Sequence, residues 1–553
     1  MKTKYFTRLL SMVMAVTALT ACVDDETSQA TGDIQPIYIA NVGSDTLRIG
    51  YLDHLQLTPT IQRGSHVGDV EGLQYRWQIS TSPYDMGSAE TEWTDLGNGT
   101  SLDVSMNSVI STSPYLVKLT VTDSINGNLQ ATKLYFVYVE SNFRDGIVVS
   151  STRDGQSSDF SLVMDKPITL NFSGSPKVFH NILMEGQGKS NAELMTQLTA
   201  NVYGGSYTAA GAINQVWATT STGSLYRYDT KSYAPTGTSQ SGTDVLTYTG
   251  NHPKFSMTFQ MESMFFAVSD KGIYSFNPGS ANTFGWTNVN ASKYTIDNNV
   301  IIGNGNYDLG NYHGYWFDAR LGRIVNMEYD MGTMASYNDA MPAGVGAFDP
   351  AALQGWHAVA GGFTIDGATP AFLFKEPQGD YSVCTLSKPV QPTYDDDWNE
   401  LTPEIRPMAD RRIQLDSSTK ALLDKAVSIF FARNEAILYI AVPEGLYAVN
   451  FAGQSAQLYS AAKFTPSAGE RIVKAKLYTQ GHQMIQVTGF PGTDRAVLPW
   501  NNKAVIIATE GAQNDGKLYV VPMVQFGTGN LNASSAATYA GFGHILDFCT
   551  TGY

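Results

Sequence analysis

The sequence is poor in cysteine, in charge and in basic clusters, and each shortage argues against a class of protein. Three cysteines in 553 residues cannot form the disulfide framework of a small secreted domain. Charged residues make up 15%, and no cluster of Lys and Arg is present to follow a phosphate backbone, so nucleic acid is not expected as a partner. The net charge of −15 disfavours polyanionic glycans for the same reason.

Recognisable catalytic motifs are also missing. The chain has no His-Glu-x-x-His, no Gly-x-Ser-x-Gly and no phosphate-binding glycine loop, and its eight histidines are scattered. Ser417 and Lys420 match a Ser-Lys motif formally, but they stand alone in a predicted helix. We therefore expect no cofactor and no metal. A glycosidase pair of carboxylates, far apart in sequence, stays open as an alternative.

Long apolar runs are absent, and the one short run lies at the N-terminus. Leu9–Leu19 follows Lys2, Lys4 and Arg8 and is shorter than the roughly 20 residues that a membrane span needs. A basic start, an apolar core and a small-residue end predict an export signal over residues 1–21. The run Leu-Thr-Ala-Cys at its end resembles the lipobox of bacterial lipoproteins, which implies that Cys22 is lipidated. The alternative is an ordinary secretory cleavage site.

Acidic residues follow Cys22 directly. Asp24, Asp25 and Glu26 resemble the surface-export signal of Bacteroidota-type lipoproteins, and the alternative is a solvated linker. Residues 22–32 are thus predicted to be a lipidated acidic tether. This implies an outer-membrane protein that is held by acyl chains and faces the cell exterior, since two or more chains give firm anchoring.

The remaining chain is long enough for two or more domains, and its pattern predicts an all-β protein. Alternating strands over residues 33–142, with an Asn126-Gly127 hairpin turn and the inward residue Trp77, indicate a β-sandwich. One segment, Ser417–Lys425, reads as a helix, with Asp416 as its N-cap.

Residues 143–553 repeat one unit, in which an apolar strand, a glycine turn and a second strand follow each other. The glycines are expected to supply the positive φ of these turns. Seven such hairpins predict a seven-bladed β-propeller. The last strand, His544–Cys549, has no hairpin after it. We expect it to pair with the first hairpin, at Ile147, and so to close the ring. Trp316 lies on a predicted strand and is expected in the core.

Two segments are candidates for ligand contact. Tyr307, Tyr312 and His313 lie in a glycine- and asparagine-rich loop, where flat rings and amides suit sugars or peptides; the alternative is an ordinary polar surface loop. Asp395–Glu400 concentrates carboxylates, as either a calcium site or a solvated acidic loop. Cys384 and Cys549 either pair or stay as thiols.

The strand residues also carry a family resemblance. The N-terminal pattern resembles the PKD fold, an immunoglobulin-like sandwich, at Tyr75, Trp77, Tyr115, Val117, Leu119, Val121 and Asp123. With Arg144–Val149 and Ile545–Phe548, the whole mature chain resembles the PKD-like family of Bacteroidota surface lipoproteins. That resemblance implies a non-catalytic accessory to a SusC-type TonB-dependent transporter with its SusD-type lid, which captures a glycan or a peptide. The alternatives are a propeller-based glycan lyase or hydrolase and a structural or adhesive surface protein.

Overall fold

The structure is a computed structural model, and the described residues form two compact units. One unit comprises residues up to 140 without 107–110, and the other comprises 107–110 and residues from 141 onward. The structure describes residues 35–40, 43–68, 71–85, 91–203, 213–239, 252–261, 264–276, 287–288, 295–302, 313–328, 336–338, 348–388, 390, 393–403, 405, 407–481 and 497–552. Their regular secondary structure is almost entirely β-strand, so the predicted all-β class is confirmed.

The first unit contains ten strands within its described residues. They are β1 Ile37–Ala40, β2 Thr46–Gly50, β3 His54–Leu57, β4 Thr60–Arg63, β5 His66–Val67, β6 Leu73–Ser80, β7 Trp93–Gly97, β8 Leu102–Ser105, β9 Tyr115–Asp123 and β10 Leu129–Glu140. The largest sheet has the order β2-β10-β9-β6-β7, and smaller sheets have the orders β1-β4-β5 and β3-β8. Strand β2 runs parallel to β10, whereas the other pairs of this sheet are antiparallel.

The core of the first unit forms around Trp77. Its side chain is fully buried and stacks on Tyr135, with ring centroids 6.0 Å apart. The indole Nε1 donates a hydrogen bond of 2.9 Å to the carbonyl of Gly99, which satisfies the one polar atom of the ring. Trp77 is thus a packing residue, as the alternating pattern predicts.

The predicted Asn126-Gly127 hairpin joins β9 and β10, which pair in antiparallel register. Asp123 organises this turn, because its carboxylate accepts hydrogen bonds from the amides of Ile125 and Asn126 and from the Asn126 side chain. The same buried carboxylate lies 2.8 Å from Nε of Arg63, on β4. One residue therefore fixes the turn and also ties the small sheet to the large one.

The second unit continues the strand series within its described residues. Its first half holds β11 Gly146–Thr152, β12 Asp159–Met164, β13 Lys177–Phe179, β14 Met195–Tyr203, β15 Ile213–Thr220, β16 Leu225–Asp229, β17 Pro235–Thr238, β18 Phe255–Met261, β19 Met264–Ser269, β20 Gly272–Phe276, β21 Thr287–Asn288, β22 Ile296–Ile302, β23 His313–Asp318, β24 Arg323–Glu328 and β25 Ser336–Asn338.

Its second half holds β26 His357–Thr364, β27 Thr369–Lys375, β28 Tyr381–Leu386, β29 Thr393–Tyr394, β30 Glu400–Thr402, β31 Ala409–Gln414, β32 Ser428–Phe431, β33 Ile437–Val442, β34 Gly445–Asn450, β35 Gln457–Leu458, β36 Arg471–Leu477, β37 Ala504–Glu510, β38 Gly516–Val524, β39 Asn530–Leu531, β40 Ala537–Phe542 and β41 His544–Thr551.

These strands form seven sheets that follow one another along the chain, here numbered sheets 1 to 7. Their orders are β13-β12-β11-β41, β14-β15-β16-β17, β18-β19-β20-β21, β22-β23-β24-β25, β26-β27-β28-β31, β32-β33-β34-β35 and β36-β37-β38-β39, with β40 also pairing β38. The separate hairpin β29-β30 is inserted between the third and fourth strands of sheet 5. Each sheet contains one of the seven predicted hairpins.

The glycines of these hairpins serve two purposes. Five of the seven adopt the positive φ that the sequence predicts, and these are Gly155, Gly223, Gly272, Gly322 and Gly379. For Gly445 and Gly516 the expectation of a positive φ is wrong. At Gly516 the reason for glycine is space, because a Cβ there would collide with the carbonyl oxygen of Gly543.

The last strand completes the first sheet. Strand β41 pairs antiparallel with β11 from Gly146–Thr551 to Thr152–His544, with one irregularity between Ser150 and Ser151. The predicted pairing of the C-terminal strand with the Ile147 hairpin is therefore present. The Thr551 hydroxyl accepts a hydrogen bond of 3.1 Å from the amide of Gly146 and so reinforces the end of the pairing.

Neighbouring sheets share their apolar cores. Ile147 and Val149 of sheet 1 belong to one buried cluster with Ile506 and Leu518 of sheet 7. Other clusters combine residues of sheets 3 and 4, 4 and 5, 5 and 6, and 6 and 7. Trp316 is fully buried in the cluster of sheets 3 and 4, as predicted. Middle strands such as β33 are buried along their whole length because apolar side chains pack on both faces.

Two short α-helices occur in the described residues, α1 Ile182–Gln187 and α2 Ser417–Leu423, beside one 3-10 turn at Ala533–Ser535. The predicted cap of α2 is confirmed, since the Asp416 carboxylate accepts a hydrogen bond of 2.7 Å from the amide of Thr419. The expectation of a single helix is wrong. Helix α1 has no local side-chain cap, and its first amides donate instead to the carboxylate of Asp159, a residue of strand β12.

Candidate binding surfaces

Most of the predicted functional residues lie outside the described residues. These are Cys22, Asp24, Asp25, Glu26, Tyr307 and Tyr312. The backbone of His313 is described and begins strand β23. The lipid anchor, the export signal and the proposed tyrosine contacts therefore stay predictions.

An inserted segment of sheet 5 carries a group of exposed apolar side chains. We call residues 387–408, between β28 and β31, the acidic-aromatic hairpin. Its base is closed by hydrogen bonds between Ser387 and Met408, with the Ser387 amide 2.8 Å from the Met408 carbonyl. A bridge between Val390 and Ile405 and the β29-β30 pair extend this closure toward the tip.

Trp398 lies at the tip of this hairpin, in a turn that the Asp395 carboxylate organises. The Asp395 carboxylate accepts hydrogen bonds from the amides of Asp397 and Asn399 and from the Asn399 side chain. These hydrogen bonds, first of all those from Asn399, hold the pKa of Asp395 below its usual range. Trp398 adopts a positive φ of 64° and is 80% exposed, with Tyr394 beside it at a ring-centroid distance of 6.2 Å.

Apolar exposure is concentrated in this one segment. Six of the eighteen large hydrophobic side chains that are exposed in the described residues fall between residues 390 and 408. They are Val390, Tyr394, Trp398, Leu401, Ile405 and Met408. The same stretch holds five Asp or Glu residues against one Arg in the sequence. Exposed apolar clusters with a polar rim are typical of interaction sites. The sequence indicated the carboxylates but not the apolar surface around them.

A second surface is a cleft of about 390 Å³ between the segment that follows β35 of sheet 6 and the connection from β38 to β39 of sheet 7. We call it the Lys463 cleft; its lining residues are Ala461, Ala462, Lys463, Val524, Gln525, Asn530 and Leu531. The ammonium of Lys463 donates a hydrogen bond of 2.7 Å to Oδ1 of Asn530 and lies 3.9 Å from the ring centroid of Tyr459. Burial lowers the pKa of Lys463. No sequence motif marks this cleft, since its walls come from segments far apart in the chain.

A third feature is a buried charge cluster that joins three sheets. Asp547, on β41, lies 2.8 Å from Nζ of Lys474 and 2.6 Å from Nζ of Lys476, both on β36. Its other oxygen accepts a hydrogen bond of 2.7 Å from the amide of Leu198, on β14. Although burial opposes ionisation, the two lysines hold the pKa of Asp547 below its usual range. Because its carboxylate contacts are made within the protein, this cluster acts as a structural connection.

Both cysteines of the described residues are free thiols. Cys384 is fully buried, and burial raises the pKa of its thiol. The described residues contain no group of three or more His, Cys, Asp or Glu side chains arranged to hold a metal ion. None of the helices in the described part of the chain has the length and the apolar character needed to cross a bilayer.

Comparison with known proteins gives distant structural likenesses. No protein-family model matches the sequence, and no curated protein matches it. Among solved structures, the chain is similar to apo AztD from Citrobacter koseri, with 9% identity over 87% of this chain and 99% of that chain and a TM-score of 0.35. It is also similar to the β-propeller domain of Cps50 (Swd1) from Myceliophteria thermophila, with 11% identity over 68% of this chain and 96% of that chain and a TM-score of 0.33. No function follows from scores of this size.

Proposed function

We propose that this protein is a non-catalytic lipoprotein of the bacterial cell surface that assembles with a TonB-dependent transporter and assists the capture of a glycan or peptide nutrient. In this proposal the first unit is a PKD-like sandwich and the second is a seven-bladed propeller closed by β41. The buried Trp77 and the five-stranded sheet support the sandwich. The pairing of β41 with β11 and the core shared by sheets 1 and 7 support the closed propeller.

The exposed apolar side chains of the acidic-aromatic hairpin are the main support for the accessory role. Exposing a Trp side chain forgoes roughly 1.5–3 kcal/mol of burial, on the scale of other large apolar side chains. Trp and Tyr are also the residues that most often dominate binding energy at protein interfaces. The hairpin holds Trp398 in a fixed turn and surrounds it with carboxylates, so its partner would offer an apolar pocket with basic residues at the rim. Such charge complementarity speeds association and selects the partner.

The lipid anchor would place this surface where the transporter is. Attachment of Cys22 to the outer membrane confines both proteins to one plane, and confinement raises the effective concentration of one partner for the other. The acidic residues Asp24, Asp25 and Glu26 would then direct the protein to the outer face. Replacing all three with Ala should preserve lipidation and abolish cleavage by protease added to intact cells. Replacement of Thr27, Ser28 and Gln29 with Ala is the matched control and should leave that cleavage unchanged.

Purification of the protein from solubilised outer membranes tests the assembly. The double variant Trp398→Ala with Tyr394→Ala should lose a SusC-type transporter that the unaltered protein retains. Tyr38→Ala removes another exposed aromatic side chain, in the first unit, and should not affect retention. Equal recovery of the transporter with the double variant would contradict the role of the hairpin. New reducing ends or peptide fragments after incubation with candidate nutrients would contradict the non-catalytic proposal.

A further inference from the structure

The Lys463 cleft combines a cation that has no acidic partner with several hydrogen-bond donors. Lys463 forms no ion pair with an Asp or Glu of the described residues, and its one acceptor there is the amide oxygen of Asn530. A half-buried ammonium loses hydration, and an anion that enters the cleft would restore its electrostatic stabilisation.

Further donors belong to other lining residues of the cleft. The amides of Ala461 and Ala462 donate no hydrogen bond within the part of the chain that the structure describes. Oε1 of Gln525 accepts from the side-chain amide of Asn530 at 2.9 Å, which leaves the Gln525 amide nitrogen as a donor. The donors available in the cleft are thus the Lys463 ammonium, these two backbone amides and the Gln525 side-chain amide. A complementary ligand must supply acceptors, of which at least one carries negative charge.

The walls of the cleft are held in place before any ligand binds. The carbonyl of Gly527 accepts a hydrogen bond of 2.7 Å from the Asn450 side chain. The backbone amide of Gly527 donates a hydrogen bond to the carboxylate of Glu435. Gly529 has a positive φ of 63°, and a Cβ there would lie 2.6 Å from the Cβ of Ala448. The turn of residues 525–529 is thus fastened against sheet 6. Binding to a site formed in advance avoids the free energy of ordering a loop.

The size and the apolar side of the cleft indicate more than a simple anion. Its volume of about 390 Å³ falls among small-molecule sites. Val524 is 38% exposed and Leu531 is half-buried, so the cleft offers an apolar wall opposite polar groups. A sugar ring has a C–H face and a rim of hydroxyls that match such a wall. An extended peptide would need a sheet edge, and β39 here has two residues.

We propose that the Lys463 cleft binds a sugar carboxylate, such as a terminal uronic acid of an oligosaccharide, with Lys463 and the neighbouring amides on the carboxylate and Gln525 on a ring hydroxyl. A single carboxylate is compatible with the negative charge of the chain, because charges beyond about 8 Å are largely screened at physiological ionic strength. This inference depends on the cleft and not on the transporter, so it stands or falls separately from the proposed function.

Isothermal calorimetry with cellobiouronic acid, a disaccharide of glucuronic acid and glucose that carries one carboxylate, tests the proposal, using the protein that begins after residue 22 with all other residues present. We expect saturable binding, and we expect Lys463→Met to weaken it about tenfold, since hydrogen bonds to charged groups are the strong ones. Lys425→Met removes an equal charge at an exposed position of the same unit and should leave the affinity unchanged. Undiminished affinity in Lys463→Met would overturn the proposal.

Three further probes define the ligand class. Cellobiose, the neutral counterpart of this disaccharide, should bind at least about tenfold more weakly than cellobiouronic acid, for the same electrostatic reason. Acetate and triglycine should also bind more weakly, since they carry a carboxylate without a sugar ring. Equal binding of cellobiose would overturn the role of the charge, and equal binding of acetate or triglycine would overturn the sugar. If Lys463→Met does not fold, Gln525→Leu keeps the lysine and should still reduce affinity; unchanged affinity in that variant would contradict the assigned contacts.

Discussion

Asp547 and Lys476 form an ion pair of 2.6 Å that joins the last strand of the chain to sheet 7. The carboxylate is completely buried, and Lys474 approaches the same oxygen at 2.8 Å. The other oxygen binds the amide of Leu198 in sheet 2. The Asp547 carboxylate in sheet 1 thereby connects sheet 1 to sheets 2 and 7. The stability of the second unit should depend on this residue more than on any exposed acid.

Asp547→Ala should lower the free energy of unfolding by about 3–5 kcal/mol, because removal of one partner from a buried pair leaves uncompensated charge. Urea unfolding followed by tryptophan fluorescence measures the change. Asp515→Ala removes an exposed carboxylate of the seventh sheet's hairpin turn and should change stability by less than about 0.5 kcal/mol. A similar small effect of Asp547→Ala would show that the charge cluster is not a main connection.

The same residue predicts a direction of pH dependence. The lysines depress the pKa of Asp547 in the folded state, so the folded protein binds fewer protons than the unfolded protein near pH 4. Its stabilisation is complete above the unfolded pKa of about 3.9 and is lost as the pH falls through the folded value. The stability difference between the unaltered protein and Asp547→Asn should therefore shrink on acidification from pH 7 to pH 3. A difference that stays constant or grows would contradict the assignment.

Removal of the chain from His544 onward should destabilise the second unit severely. The deletion exposes the edge of β11, and loss of buried Ile545 and Phe548 alone removes roughly 3–6 kcal/mol of apolar burial. Differential scanning calorimetry should show a much lower melting temperature or no cooperative transition. Removal of residues before 141 is the comparison, and the second unit should then keep its transition. Equal melting of the full chain and the C-terminal truncation would contradict closure by β41.

Cys22→Ala should yield an unlipidated protein that is released from the outer membrane. The reason is that the acyl chains on Cys22 are the predicted anchor. Fractionation after a high-salt wash, with detection by antibody, measures the distribution. Ser28→Ala, in the same tether, should remain with the membrane. Retention of the Cys22→Ala protein in the washed membranes would show that another part of the chain anchors it.

The tyrosine loop makes a separate prediction about ligand contact. Tyr307→Ala combined with Tyr312→Ala should weaken binding of a glycan or peptide ligand without altering the melting curve. Each stacked ring is expected to contribute about 0.5–1.5 kcal/mol beyond its buried area, by analogy with aromatic pairs. Retarded migration in gels that contain candidate polysaccharides, or calorimetry, would measure the loss. Undiminished affinity would remove this loop from consideration.

Local features of the fold were predictable because their causes lie close together in sequence. Alternating apolar residues and a turn glycine specify each hairpin, and Asp416 three residues before Thr419 specifies the start of α2. Helix α1 was missed because Asp159, which binds its first amides, belongs to a different strand. The reason for glycine at position 516 was not predictable either, because it is the close approach of the Gly543 backbone, which is distant in sequence.

The sequence by itself determined the all-β class, the seven hairpins and the strand that returns to the Ile147 hairpin, since period-two patterning and turn chemistry are local properties. Only the tertiary structure decided which charges meet and which apolar side chains stay in water. Asp547 acquires two lysines, Lys463 is left without an acid, and Trp398 is left exposed because of residues distant in the chain. Electrostatic pairing and burial depend on distances in space, and those distances arise only when the sheets pack together.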